Sequence, residues 1–583
     1  MDKILTTMII CGLLIVFSTT LAQTEISGEV SGEWNADGSP YIVVDSTWIA
    51  EGDSLTVLEA VTIIFEEAQG LHVFGTFTCL GGIAHEATNY ILVAEGVEHW
   101  KGLRFYGQNH VFFESTEIVG PDTTILLDNA YQLTMNECDV EADISAISPI
   151  YHEHVGGWTI DLNWTDITCR SNLNLQMCVF TAVNSELHLN SPFPNELSSL
   201  ISWGGTLDLS NCHVTARLSN TSQFTIEDCV FTGMNPNEAR ISVSLGGGRI
   251  IRTIVDGNIS IRGDGDDDVL LEDSDLHDFS VNGSSADIIG CSIYGTVFID
   301  RYAANFLNCD LNSSFGARLS ITNIDSCYLF RDNWRGESIS MSGGGRLTMS
   351  RSVADCDQIL IRDNCTAVFD HNTIVIKNEK RQAIKIHSPN VTIKNNILIA
   401  DGEFVALINA WELPEVFEFN NVWGFEAYAN PPFDDIIVEA PETNIDIDPH
   451  IDWYVHTPLL AHDSPCIDAG DPDAPADPDG TRSDIGAIAF YQPNSVNDYL
   501  DKLHYPDCAN ISAYPNPFNG IATFAVSLNR PSNVKIAIIN TMGRRQMELV
   551  SGNYQSGSHE VSWDATNLPT GVYFARMNTG TTS

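Results

Sequence analysis

Ile289-Gly290-Cys291-Ser292-Ile293, Leu307-Asn308-Cys309-Asp310-Leu311 and Asp325-Ser326-Cys327-Tyr328-Leu329 follow one another at intervals of eighteen residues. Earlier copies read Glu137-Cys138-Asp139-Val140, Asn211-Cys212-His213-Val214 and Asp228-Cys229-Val230-Phe231. A short polar residue, a small one, a variable one and an apolar one thus recur every 17 to 25 residues. Each phrase reads as a short strand with alternating faces. The leading residue, usually Asn, Asp or Gly, suits a turn that needs left-handed backbone or a side chain bonding its own main chain.

The frame outlasts the sulfur. Ser274 takes the Cys position in Asp273-Ser274-Asp275-Leu276. His371-Asn372-Thr373-Ile374-Val375, Asn395-Asn396-Ile397-Leu398 and Asn420-Asn421-Val422-Trp423 carry it onward, with Thr373 and Asn396 read in the same role. One such strand cannot bury a face alone. Copies stacked about 4.8 Å apart bury a continuous core and pair every inner backbone group. Residues 112–440 then hold on the order of 15 coils. The predicted fold class is all-β: a right-handed parallel β-helix followed by a small antiparallel β-sandwich. A leucine-rich repeat is the main rival, but its leucine consensus is missing, and a propeller needs longer periods.

Fourteen cysteines, with Cys11 in the leader, leave an odd thirteen. A disulfide framework is one reading. Recurrence at a core-facing strand position favours small buried thiols instead. In-register parallel side chains also suit the disulfide dihedral poorly. Cys466 and Cys508 lie outside the ladder and are the best candidates for one bridge.

Lys3, the apolar run Met8 to Phe17 and Thr20-Leu21-Ala22 read as a signal peptide, residues 1–22, cleaved after Ala22. That run is far short of a membrane span, and Cys11 inside it is not placed as a lipid acceptor. No later segment reads as transmembrane, so the mature chain is expected to be soluble or surface-held, and monomeric. Against 28 basic residues stand 77 acidic ones, a net charge of −49. Such a surface repels nucleic acid and anionic membranes. It suits an extracellular protein bathed in salt or divalent cations, and it counts against a polyanionic substrate unless calcium bridges the two.

From Gly32-Glu33-Trp34 through Leu71-His72-Val73-Phe74-Gly75-Thr76-Phe77 to Trp100-Lys101-Gly102-Leu103-Arg104-Phe105, short strands alternate with turns. This stretch resembles the opening coils of secreted bacterial right-handed parallel β-helix proteins. The resemblance implies an N-terminal cap and first coils over residues 23–110, ahead of central coils over 111–440. Beyond about residue 425 the text turns to Pro, Asp and Ala. Ser464-Pro465-Cys466-Ile467-Asp468-Ala469-Gly470-Asp471-Pro472 and Asp477-Pro478-Asp479-Gly480-Thr481-Arg482-Ser483-Asp484-Ile485-Gly486-Ala487 resemble the C-terminal closure of such proteins, placing a cap at 441–495. Asp477, Asp479 and Asp484 are a candidate calcium site; the alternative is a turn-rich cap whose Asp side chains bond backbone. The spacing departs from the EF-hand loop. Asp264, Asp266, Asp267 and Asp268 form a second acidic run, read either as a cation site or as a solvated loop.

A linker over 496–511 leads to Ala513-Tyr514-Pro515-Asn516-Pro517-Phe518-Asn519, followed by alternating runs such as Ala522 to Leu528, Val534 to Ile539 and His559 to Asp564. The residues alone give a small antiparallel sandwich over 512–583. It closely resembles the type A C-terminal sorting domain of the type IX secretion system, and a plain spacer module is the alternative. The resemblance implies recognition by the outer-membrane secretion machinery and a secreted or outer-surface location. Members usually close on one more strand carrying a basic residue. This chain stops at Thr581-Thr582-Ser583, and the expectation is a shortened sequence or an incomplete signal.

Chemistry is harder to read. Lys377, Lys380, Arg381, Lys385 and Lys394 put five cations within eighteen residues, with His387 beside them. A lyase needs such a base, and an acidic glycan such a groove; a solvated loop and strand face with Glu379 is the alternative. Tyr151-His152-Glu153-His154 offers metal ligands at strand spacing or an ordinary structural pair. A hydrolase needs two converging carboxylates, which 77 acidic residues cannot single out. The sequence therefore points to a secreted or surface protein exported by type IX secretion. It is expected to serve in non-catalytic adhesion or binding of extracellular carbohydrate. A polysaccharide lyase or glycoside hydrolase is the second reading.

Overall fold

The computed structural model describes residues 23–492 and 510–580, apart from 83–87, 98, 107–109, 129–131, 148–157, 170–172, 177, 190–198, 204–205, 216, 221–222, 233–238, 245–246, 264–267, 313, 331–338, 378–381, 389, 402–405, 411–412, 426–427, 430–439, 455–456, 529–531, 541–544, 555–556, 567, 569–570 and 572. Residues 1–22, read above as a signal peptide, and residues 493–509, with Cys508 and most of the expected linker 496–511, lie outside them. The described chain is almost wholly strand, in two compact units, residues 1–206 and 207–583.

The first unit is a parallel β-solenoid from its first described strand. Thr24–Glu29 pairs in parallel with Tyr41–Ile49, which pairs with Thr62–Phe65, then Asn89–Val93 and Thr116–Asp128. In the second unit one face takes a strand per turn from His213–Thr215, through Val230–Phe231 and Ile254–Arg262, to Asn421–Trp423. Two further parallel faces complete each turn. One holds Phe279 to Asn282 against Val297 to Asp300; the other holds Asp268–Glu272 against Ser285–Ile289. Alternation sends every second side chain inward. Thus Phe279, Phe306 and Phe315 are buried and meet edge-on, with ring centroids 6.3 and 5.5 Å apart. Each such ring contributes about 1.5–3 kcal/mol by leaving water.

The repeated phrase is one inner corner of the turn. The residue before the small one is left-handed throughout, from Glu137 to Phe419, with φ between 44 and 63°. The small position belongs to Cys212, Cys229, Thr253, Ser274, Cys291, Cys309, Cys327, Ser352, Asn372, Asn396 and Asn420. Two copies shift by one from the sequence frame: Asn372 rather than Thr373, and Asn420 rather than Asn421. Hydrogen bonding gives the reason. Each corner N–H donates to the side chain at the same corner one turn on. Cys309 N donates to Cys327 Sγ at 3.4 Å, Cys327 N to Ser352 Oγ at 3.1 Å and Ser352 N to Asn372 Oδ1 at 3.0 Å. Asn372, Asn396 and Asn420 continue the series to Asn444 at 2.9–3.0 Å. Thr373 Oγ1 instead accepts from Ala487 N at 3.1 Å. A buried N–H without a partner costs about 1–3 kcal/mol, so the corner selects an acceptor, not merely a small apolar side chain. The cysteines therefore do more than fill space. Ten of the cysteines, from Cys79 to Cys466, are buried thiols outside any disulfide. Cys466, expected to bridge, is among them, and Asn421 Nδ2 donates to its Sγ at 3.2 Å.

The segment after the last coil folds back along one face. Cys466, Leu460 and Ile485 pack on Ile397, and Ala487 packs on Tyr328 and Val353. At the C-terminus two three-stranded antiparallel sheets form the sandwich. Asn510–Asn519, Ile521–Leu528 and Gly557–Asp564 face Ser532–Asn540, Arg545–Tyr554 and Tyr573–Gly580. Phe524, Ile538 and Trp563 close its core.

Candidate functional site

The basic set disperses. Lys377 follows the strand Thr373–Ile376 and pairs with Asp355. Lys385 lies mid-strand in Gln382–Ile386, half-buried, in register between Leu360 and Asn409. Lys394 ends Val391–Lys394, pairs with Asp471 Oδ2 at 2.5 Å and lies 5.7 Å from the Phe419 ring centre. The Asp471 carboxylate pushes the Lys394 ammonium above its ordinary range. These three strands belong to three faces of the turn, so Lys377, Lys385 and Lys394 do not line one groove. His387 is exposed just beyond Lys385's strand. Lys380, Arg381 and Tyr151 to His154 lie outside the described residues.

The acidic cap is bonded to its own main chain. Asp484 accepts from Asp468 N at 2.7 Å and Phe490 N at 2.5 Å, one on each oxygen. Asp477 Oδ2 accepts from Asp484 N at 2.8 Å. Asp479 accepts from Thr481 N at 3.0 Å, Thr481 Oγ1 at 2.7 Å and Gln492 N at 2.8 Å. Burial pushes Asp477 up to about 6 and Asp484 up to about 7, against the bonds each carboxylate accepts. Asp268 is exposed at the head of Asp268–Glu272; Asp264, Asp266 and Asp267 lie outside the described residues.

A different surface stands out once register is known. Ser219, Ser242, Ser260, Ser280, Phe298, Gly316 and Ser340 fall in one row on the outer side of their strands, a residue per turn; Ser219 is exposed, Ser242, Ser280 and Ser340 are half-buried, and Ser260 is buried. Phe298 is 44 % exposed. Its ring lies beside Gly316, where a Cβ would make ordinary contact at 3.4 Å from Phe298 Cδ2. The row was hidden in sequence because its members stand 18 to 24 residues apart. The available signal was Val297-Phe298-Ile299: in an alternating strand, the middle of three apolar residues must face out.

The sandwich holds a cleft of about 220 Å³ lined by Phe518, Phe524, Trp563 and Tyr573 among others. Residues 512–583 match the family model for the secretion system C-terminal sorting domain. This segment is a type IX secretion sorting domain. The sorting domain marks the protein as secreted or anchored on the cell surface. No curated protein matches the chain. Among the described residues no helix is long and apolar enough to cross a membrane.

Proposed function

We propose that this protein is a non-catalytic binding protein for extracellular polysaccharide, carried out of the cell by its sorting domain. The observation that carries the reading is the outward row of serine hydroxyls interrupted by the half-exposed Phe298 ring. Hydroxyls at a strand-to-strand repeat of about 4.8 Å suit the hydroxyls of an extended glycan, and an exposed ring suits the flat apolar face of a sugar. Small side chains beside the ring leave the surface open to a linear polymer.

The test is retention of the full chain on a panel of immobilised polysaccharides, with the soluble fraction assayed for unsaturated products and new reducing ends. Retention without product is the expected result. Product formation makes the protein a lyase or hydrolase instead, and absence of both retention and product removes the glycan reading. Calcium titration in the same calorimeter reads the acidic groups. Heat with a rise in melting temperature places an ion on Asp477, Asp479, Asp484 or the run ending at Asp268. Silence leaves backbone bonding as the cap carboxylates' role.

A further inference from the structure

One edge of the solenoid carries side chains that its backbone does not ask for. At the turn after Asn282 the chain reverses through Gly283, with φ of 77°. Two later turns use Gly343 and Gly344, at 77 and 81°, and then Asp363 and Asn364, at 53 and 56°. These residues accept left-handed backbone most cheaply. Between them the same edge is built from Arg301, Tyr302 and Leu319, with φ of 63, 66 and 50°. Left-handed geometry penalises a residue with a bulky side chain, so the backbone did not select these three. Their side chains are displayed: Tyr302 is 46 % and Leu319 47 % exposed, beside Ile321 at 55 % and Phe298 at 44 %.

Three arginines share the edge. Register sets Asp300 beside Arg318, and Ile321 between Ala303 and Arg346. The Leu319 and Arg318 stems overhang Gly343, where a Cβ would lie 2.9 Å from Leu319 Cγ and 3.3 Å from Arg318 Cγ. Arg301 reaches Asp300 only at 3.9 Å. Among the described residues Arg318 and Arg346 have no ion-pair partner. Of the nearby carboxylates, Asp325 pairs with Arg351 and Asp363 Oδ2 accepts from Gly343 N at 3.1 Å, while Asp300, in register with Arg318, is buried rather than displayed. In a chain with 28 basic and 77 acidic residues, this local balance runs against the bulk.

We infer that Arg301, Arg318 and Arg346, with Phe298, Tyr302 and Leu319, form a binding site for an anionic polysaccharide. This rests on the glycan reading and names the class. Guanidinium forks hold carboxylate or sulfate oxygens bidentately, while the rings and Leu319 cover sugar faces. The acidic remainder of the chain does not forbid it, because exposed charges are screened beyond about 8 Å at physiological salt.

The full chain is titrated at physiological salt with polygalacturonate, chondroitin sulfate and dextran, which separate carboxylate, sulfate and neutral ligands. Wild type is expected to bind at least one anionic polymer and to bind dextran at least about tenfold more weakly, a difference of about one decade in Kd. Arg318→Glu combined with Arg346→Glu lowers anionic affinity about a hundredfold, and Phe298→Ala about tenfold. Melting temperatures within a few degrees of wild type confirm that these surface variants fold. Equal binding of dextran, unchanged in the double variant, overturns the anionic site and leaves glycan binding standing. Failure of all three polymers overturns both.

Discussion

The inner corner of the second unit solves one problem twice. Where cysteine follows cysteine the buried N–H meets sulfur at long range, as from Cys309 N to Cys327 Sγ and from Cys212 N to Cys229 Sγ, both at 3.4 Å. The Cys309 thiol answers weakly to Leu307 O and Ile288 O, both at 3.3 Å. From Asn372 onward amides take over. Asn396 Oδ1 accepts from both Asn372 N and Asn372 Nδ2 at 2.9 Å. Asn396 Nδ2 meets Asn420 Oδ1 at 3.0 Å, Phe369 O at 2.9 Å and Lys394 O at 2.7 Å. One amide thus stitches three successive turns. The amides occupy the turns that run out at Asn444, where a coil has fewer neighbours to hold it. Weak sulfur contacts suffice mid-stack; the end of the stack uses the strongest neutral bonds available.

The comparison breaks most readily at Asn396. Asn396→Ala removes the acceptor of two Asn372 donors and the amide donor to the buried Phe369 O, while Lys394 O keeps its bond from His371 N. At about 1–3 kcal/mol for each of these three groups the loss is about 5 kcal/mol. Hydrogen exchange over residues 366–400 reads it as local opening, which suits a repeat fold better than one global midpoint. A loss no larger than that of Cys309→Ala would show that the amide row adds nothing beyond packing.

The next effect separates amides, which do not titrate, from the carboxylates of the cap. Asp484 is pushed to about 7 in the fold from 3.8, and Asp477 to about 6, by burial. A raised carboxyl pKa means that the folded state binds more protons than the unfolded chain. Cap stability is therefore highest below about pH 4 and falls as pH rises through the window from 3.8 to about 7, flattening above it. For Asp484 the change is on the order of 4 kcal/mol. Melting temperatures at pH 5 and 8 measure the slope. Subtracting the slope of Asp484→Asn removes the general easing of repulsion that any acidic protein gains on acidification. Equal slopes in the two proteins would detach the effect from Asp484.

Cys309→Ala comes third, at about 1.5 kcal/mol, since it loses a small buried group and one weak acceptor. Cys309→Ser, which keeps an acceptor of similar size, is expected to recover most of that in the same urea titration. No recovery would return sulfur to the role of plain filler.

Much of this corner was legible in sequence, because a solenoid repeats its demand for a small acceptor after a left-handed residue. The parallel stack, the strands before residue 110 and the sandwich opened by Tyr514-Pro515-Asn516-Pro517-Phe518-Asn519 all follow from local pattern. Trp164, Arg252, Arg351 and Phe419 in the left-handed position were not legible. Turn chemistry disfavours them, and only paired strands on both sides hold the backbone there. The candidate site was illegible for a related reason. A turn scatters neighbours in sequence over three faces, which dispersed Lys377, Lys385 and Lys394. Register instead sets Phe298 beside Gly316, Arg318 beside Asp300 and Arg346 beside Ile321, on two faces that meet at one edge, and no short sequence window contains them.

The smallest effect contrasts the inside and outside of the same two turns. Ser352 N donates to Asn372 Oδ1 within the core, while Asp355 and Lys377 pair on the outer surface. The inner bond is shielded from water, but the Lys377 side chain is 49 % exposed, so its pair competes with solvent and salt. Lys377→Ala is therefore expected to shift stability by less than about 1 kcal/mol, with the remainder vanishing at high salt. It is also expected to leave glycan retention unchanged, because Lys377 lies on a different face from Phe298. A large loss of retention in this variant, with its melting temperature intact, would move the binding surface from the arginine edge to the lysine strands.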